Sequence, residues 1–247
     1  MDNSSYISLT LASSLERSLD ITANNLANVN TAGFKGEKTL FESYLLRPSE
    51  IGKDDVFFSL DSGSYMDPAQ GALLATGNPL DAAVLGEGWF GYQTPDGRTG
   101  LGRNGQFVLD ADGMLVTAGG AQVLDAGGAP IQVPEDQGAV TIGSDGTISN
   151  AAGEAVATIG VFEAPDIQSY ARLPGGMFTP ADGSAPPLQP VQAPRLAQGH
   201  LEQSNVEPVI EMTRMMGIQR AYERAMTLLD DENSLRRDTL QRLGPTG

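Results

Sequence analysis

The sequence predicts an α+β chain, with long one-sided helices at both ends and an antiparallel β domain inserted between them. Ile7, Leu11, Leu15, Leu19, Thr22, Leu26 and Val29 recur at steps of three and four, as do Val209, Met212, Met216, Gln219, Tyr222, Met226 and Leu229. That spacing places each set on one helix face. The residues between them change to short apolar runs broken by glycine pairs. Isolated helices are marginal, so each stripe needs something to bury it, as the seam of a bundle or coiled coil does.

In chain order, residues 1–30 are expected to form the first helix, capped near Asn3 to Ser5 and stopped at Thr31-Ala32-Gly33, where Gly33 takes a left-handed conformation. Residues 31–75 are expected as an extended connector, with a strand at Val56-Phe57-Phe58 and a turn at Asp61-Ser62-Gly63. Residues 76–198 are expected as the β domain. Its strand candidates are Ala82–Leu85, Trp89–Tyr92, Gln106–Leu109, Met114–Val116 and Ala121–Leu124. Asp96-Gly97, Asp112-Gly113, Gly119-Gly120, Gly127-Gly128 and Asp145-Gly146 punctuate them as hairpin turns. Residues 199–247 close the chain with the second helix, capped at Ser204-Asn205, carrying Pro208 in its first turn and ended by Gly244-Pro245.

Charge and composition narrow the function. The net charge is −16, and residues 46–200 hold 18 acidic against six basic side chains. Such a body repels nucleic acid and anionic membranes. Without cysteine, disulfides, thiol catalysis and cysteine zinc sites are excluded. No stretch has the length of a membrane span, and the N-terminus carries no basic region or apolar run of a Sec signal.

Apparent chemical motifs are better read as structure. Gly86-x-Gly88-x-x-Gly91 and Gly100-x-Gly102-x-x-Gly105 match a dinucleotide fingerprint, but no helix follows either, so they are read as hairpin glycines. Asp110-Ala111-Asp112-Gly113 lacks the later ligands of a calcium loop and is read as a type I′ turn. Asp54-Asp55 and Asp230-Asp231-Glu232 are read as solvated surface. His200, the single histidine, is read as structural. No cofactor or metal is called for.

One segment stands apart: Ala23-Asn24-Asn25-Leu26-Ala27-Asn28-Val29-Asn30. Asparagine is a poor helix former. The bland reading is a frayed helix end; the sharper one is amides that hydrogen-bond neighbouring subunits and fix their register.

This segment, with Thr31-x-Gly33-Phe34-Lys35, resembles the signature of bacterial flagellar basal-body rod and hook proteins. Gln70-Gly71-Ala72-Leu73, Thr76-Gly77-Asn78-Pro79-Leu80-Asp81, Gly86-Glu87-Gly88-Trp89-Phe90, Arg103-Asn104-Gly105-x-Phe107, Gly199-x-Leu201-Glu202-x-Ser204-Asn205-Val206 and Arg220-Ala221-Tyr222-Glu223 resemble further family elements in the family's order. Trp89 replaces the usual Phe, and Gly102 stands before Arg103 where the family tends to have a larger residue. The short stretch between Phe34 and Gln70 resembles the proximal-rod members more than the distal-rod paralogue.

The resemblance implies long N- and C-terminal helices paired as a coiled coil, in a structural, non-enzymatic subunit that polymerises helically in the periplasmic rod and transmits torque. Its implied partners are further copies of itself, proximal and distal rod subunits and the flagellar type III export apparatus, with no nucleic acid and no membrane insertion. The subunit interface is expected at Leu15, Leu19, Asn24, Asn25, Leu26, Asn28, Val29, Phe34, Val209, Met212, Met216, Tyr222, Met226 and Leu229. The alternatives are a distal-rod paralogue and, from another class, a secreted periplasmic β-domain enzyme. For the latter no nucleophile with a partnered base is evident.

Overall fold

A computed structural model describes residues 3–46, 56–134 and 140–243. The expected features at Asp54-Asp55 and Gly244-Pro245 lie outside the described residues. The chain divides into two compact units.

The first unit contains α1 (Asn3–Ala27), β1 (Glu37–Leu46), β2 (Val56–Met66) and α2 (Pro208–Leu243). The two strands pair antiparallel from Glu37↔Met66 to Leu46↔Val56, with a register shift between Thr39 and Phe41. The stretch expected as an extended connector thus contains a long hairpin. α1 ends at Ala27, three residues before the expected Asn30. Beyond it Thr31 N–H bonds the Asn28 carbonyl at 3.1 Å and Phe34 N–H that of Thr31 at 3.2 Å, so the asparagine-rich run turns instead of continuing the helix. Gly33 then takes φ +68°.

The predicted fold class requires correction. Described residues form two α-helices, two single-turn 3-10 helices and seventeen strands, so the chain is mainly β, and its α-helices do not make the expected coiled-coil pair. Part of the expected seam faces outward: Leu11 is 41% exposed, Val209 69%, Met212 45% and Met216 51%, whereas Thr22 is buried. The buried side of α1 is Ala12, Ser14, Ser18, Thr22 and Asn25. Its hydroxyls bond back along the helix, Ser18 to the Ser14 carbonyl at 2.9 Å and Thr22 to that of Ser18 at 2.8 Å. Small side chains with internally satisfied hydroxyls bury cheaply and permit close packing, leaving the larger apolar groups outside. On α2 the inward side carries Glu211, Met215, Ile218 and Ala225, each one position before a member of the predicted stripe, together with Leu229, which belongs to it.

The second unit comprises residues 28–36 and 68–206. Its strands are β3 (Leu73–Ala75), β4 (Ala82–Val84), β5 (Trp89–Gln93), β6 (Thr99–Gly102), β7 (Phe107–Leu109), β8 (Leu115–Thr117), β9 (Gln122–Val123), β10 (Thr141–Ile142), β11 (Thr147–Ser149), β12 (Ala155–Thr158), β13 (Val161–Phe162), β14 (Tyr170–Leu173), β15 (Met177–Pro180), β16 (Leu196–Gln198) and β17 (His200–Glu202). The main sheet runs β14-β15-β6-β5-β9-β8-β7, with β13 also on β5. β10, β11 and β12 form a three-stranded sheet, while β16 pairs β4 and β17 pairs β3. All pairs are antiparallel. Phe90, Tyr92, Phe107, Leu115, Val123, Ile148 and Ile159 lie in the core, with the Phe90 and Phe107 rings edge to face at 5.3 Å.

One turn design recurs. At Asp110-Ala-Asp-Gly113, Gly113 N–H bonds the Asp110 carbonyl at 3.1 Å, and the Asp110 carboxylate accepts the N–H groups of Asp112 and Met114. Asp125-Ala-Gly-Gly128 and Asn150-Ala-Ala-Gly153 repeat the pattern. Each is a longer hairpin loop closed by a left-handed glycine, Gly113 at φ +75°, not the two-residue type I′ turn expected from sequence. The fingerprint glycines fall within or between strands: Gly91 in β5, Gly100 and Gly102 in β6.

Gly105→Ala should destabilise the unit by about 3 kcal/mol, because its Cβ would sit 1.5 Å from the Ala82 carbonyl oxygen. Gly119→Ala, whose nearest neighbour would be 3.9 Å away, should change stability by under about 0.5 kcal/mol. Urea unfolding of the two variants reads the contrast. A second expectation concerns alkali. Burial holds the Tyr92 phenol well above its ordinary range, while nearby Arg103 pulls the other way. The raised value means the stabilisation is complete below the unfolded value of about 10 and is lost as pH rises through the folded one. Tyr92→Phe should flatten the fall of Tm with pH in that window.

Candidate functional site

The second unit gathers the sequence motifs around one buried carboxylate. Glu202, on β17, accepts Lys35 Nζ at 2.5 Å on Oε1 and Arg103 Nη1 at 3.3 Å on Oε2. All three side chains are nearly or fully buried. Two cations against one anion leave an excess positive charge, which neutral acceptors share. Lys35 Nζ also donates to the Ala69 carbonyl at 2.7 Å, and Arg103 Nη2 to the Gly86 carbonyl at 2.7 Å. The Trp89 ring lies 5.1 Å from the Arg103 guanidinium and 5.9 Å from Lys35 Nζ, within the range of cation–π attraction. Burial lowers the Arg103 pKa and the Glu202 carboxylate opposes that shift.

Main-chain groups complete the node. Gly71 N–H donates to Glu202 Oε1 at 3.0 Å, and Gly33 N–H to the Glu202 carbonyl at 2.7 Å. Gly33 needs both its positive φ and its missing side chain, since a Cβ would lie 2.3 Å from the Arg103 main chain. Asn205 accepts Gly36 N–H at 2.7 Å and donates to the Ala69 carbonyl at 3.1 Å. Arg172 donates to the Lys35 carbonyl at 2.7 Å and stacks 4.4 Å from Phe34 and 4.9 Å from Phe178. Nearby, Asp81 accepts Thr76 Oγ1 at 2.6 Å and Asn78 Nδ2 at 2.9 Å, which folds the Thr76–Asp81 loop on itself. These groups act on one another, so the arrangement is a clamp that joins distant segments.

In the first unit Asn25 performs a comparable task. It is 2% exposed, accepts Glu37 N–H at 2.9 Å and donates to the Glu37 carbonyl at 2.7 Å, as a neighbouring strand would. Its Nδ2 also lies 3.5 Å from Glu211 Oε2.

Three family models match the same regions. Residues 12–35 match "Flagella basal body rod protein", residues 83–150 "Flagellar hook protein FlgE/F/G D1 domain", and residues 197–242 "Flagellar basal body rod FlgEFG protein C-terminal". The chain is 39% identical to the flagellar basal-body rod protein FlgF of Caulobacter vibrioides, over 99% of both chains. It is 36% identical to FlgF of Mesorhizobium japonicum, again over 99% of both. The chain belongs to the flagellar basal-body rod protein family. It is a structural component of the flagellar basal-body rod and not an enzyme. The FlgG paralogue of Agrobacterium fabrum is more distant, at 32% identity over 89% of this chain and 92% of its own.

The expected interface residues of this rod protein fall into three environments. Val209, Met212, Met216, Met226 and Asn24 are exposed. Leu15, Leu19, Leu26, Asn28, Val29, Tyr222 and Leu229 are half-buried, and Asn28 accepts the Thr31 hydroxyl at 3.2 Å. Asn25 and Phe34 are buried. His200 is half-buried, with Nδ1 2.9 Å from the Gln198 carbonyl. Among the described residues no three His, Cys, Asp or Glu side chains cluster as a metal site, and no helix is long and apolar enough to cross a membrane. Sequence reading missed the Lys35–Glu202–Arg103 node. Its signal was available: isolated cations within glycine-rich apolar segments of an acidic chain, each inside a motif.

Glu202→Gln should cost about 4 kcal/mol, because it strands two buried cations. Replacing Lys35, Arg103 and Glu202 together by Met, Met and Leu should recover most of that loss, which calorimetry on the two variants compares. Asn25→Ala should cost about 2 kcal/mol through the unpaired Glu37 main chain, read from the urea midpoint.

Proposed function

We propose that the chain is an axial subunit of the proximal rod, which polymerises helically with copies of itself and with other rod subunits and carries torque through the periplasm. The supporting observation is the apolar surface of the first unit: Leu9 and Leu11 on α1, and Val209, Ile210, Met212, Met216, Met226 and Leu228 on α2, are exposed. Exposed apolar groups gathered on one unit in this way mark an interaction site. A head-to-tail contact that does not close on itself yields an open filament.

On this reading the segments 1–30 and 199–247 form the assembling module, 31–75 links them, and 76–198 is the β domain. Leu15, Leu19, Leu26, Val29, Tyr222 and Leu229 would complete the contact surface at its partly covered margin. Asn24 and Asn28 would set register, and Asn25 and Phe34 would act from within by holding the main chain in place. Passage through the flagellar type III export apparatus is the proposed route, and a chain without cysteine travels it with no risk of disulfide mispairing.

The test is deletion of the gene and complementation with Met212→Asp/Met216→Asp. Since both residues are exposed, the variant should fold with an unchanged Tm yet fail to restore motility or intact basal bodies by electron microscopy. Normal rods in the deletion strain would overturn the proposal.

A further inference from the structure

β3 lies in a neutral, exposed stretch of an acidic chain. From Pro68 to Leu80 no residue is charged, against a net charge of −16, and residues 72–79 are all exposed. Leu73 is 42% exposed and Leu74 48%, although neighbours in a strand point to opposite faces, so neither face of β3 is covered. Among the described residues its sheet partner is β17 alone. Gln203 N–H bonds the Ala72 carbonyl and Thr76 N–H that of Gly199, each at 2.8 Å. Antiparallel pairing alternates, so Leu74 turns its N–H and carbonyl to β17 while Leu73 and Ala75 turn theirs outward. An exposed edge with apolar side chains is a template for a further strand. Val108 and Leu109 on β7 are exposed too, but the Asp81–Gln106 bridge occupies the start of that edge.

We propose that β3 pairs antiparallel with β3 of a second copy, about a two-fold axis through Leu74. The outward groups dictate that register. Leu73 of each copy exchanges two hydrogen bonds with Ala75 of the other, and Leu74 lies opposite its own counterpart. Side-chain size fits it as well. Leucine meets alanine on one face, and the two Leu74 side chains meet on the other, in the closer, non-hydrogen-bonded kind of pair. Charge points to the same occupant. Two copies of net charge −16 repel each other, and they approach at least cost where neither is charged. One short strand from each copy buries little area, so the pair is weak and transient. It is also closed, since an isologous contact stops at two copies, whereas a filament needs one that repeats. The inference therefore goes beyond the rod reading, and it uses the second unit where that reading uses the helices of the first.

Single cysteines in the full-length, otherwise cysteine-free chain test the register. Leu74→Cys should give disulfide-linked dimers on mild oxidation, since residues opposed in a non-hydrogen-bonded pair stand about 4.5 Å apart at Cα, within disulfide reach. Leu73→Cys and Ala75→Cys should each link at least tenfold less alone, because like positions are then about 7–8 Å apart. Mixed together, those two variants should link to each other. Leu74→Lys and Leu74→Glu should each keep the native Tm, since the position is exposed, and sediment as monomers at concentrations where the native chain pairs. An equal mixture of the two should recover the dimer. Met212→Asp/Met216→Asp, which removes the proposed rod contact, should leave the pair intact, so the two readings fail separately. A native chain that stays monomeric at every concentration, or cysteines that link regardless of position, overturns the pairing. A monomeric native chain whose Leu74→Lys variant still impairs motility would show that the edge meets another protein instead.

Discussion

The second unit depends on the neutralisation of Lys35 and Arg103 by Glu202. Two cations out of water are costly unless a carboxylate and well-placed carbonyls meet them. Meeting that requirement fixes where five separate segments lie: 33–36, 69–71, 86–89, 103 and 202–205. A packed apolar core tolerates repacking of comparable volume, but an ion pair with defined donors tolerates little displacement. The node therefore supplies specificity beyond what the apolar core provides, with Gly33 and Gly71 permitting the close backbone approach.

The first unit centres instead on a neutral amide, set 3.5 Å from the buried Glu211 carboxylate. Asn25 imitates a strand by pairing both main-chain groups of Glu37, which ties the end of α1 to the start of the hairpin. Serine and threonine on the inward side of α1 leave Leu9 and Leu11 outside. The apolar surface at these positions is thereby left on the side of the helix that the unit's own packing does not use.

Much of the β architecture was legible because turns announce themselves: Asp112-Gly113, Gly119-Gly120 and Gly127-Gly128 each close a hairpin, and the strands at Trp89 and Phe107 lie where apolar runs were seen. The helices were located but their orientation was misjudged. Periodicity identifies a stripe without saying whether it faces inward, and the hydroxyl-lined side of α1 carries no hydrophobic signal. The ion node was illegible for another reason: Lys35 and Glu202 are 167 residues apart, and pairing at that range leaves no local trace. Only the coincidence of motifs hinted at a shared purpose.

That separation also governs timing. A chain delivered from its N-terminus presents Phe34 and Lys35 early, but their counterpart arrives after four fifths of the polypeptide has passed. Until Glu202 and Asn205 emerge, the segment before β1 has no place to dock, and the long-range contacts that complete the unit remain unmade. The second unit therefore closes only when the chain is nearly whole.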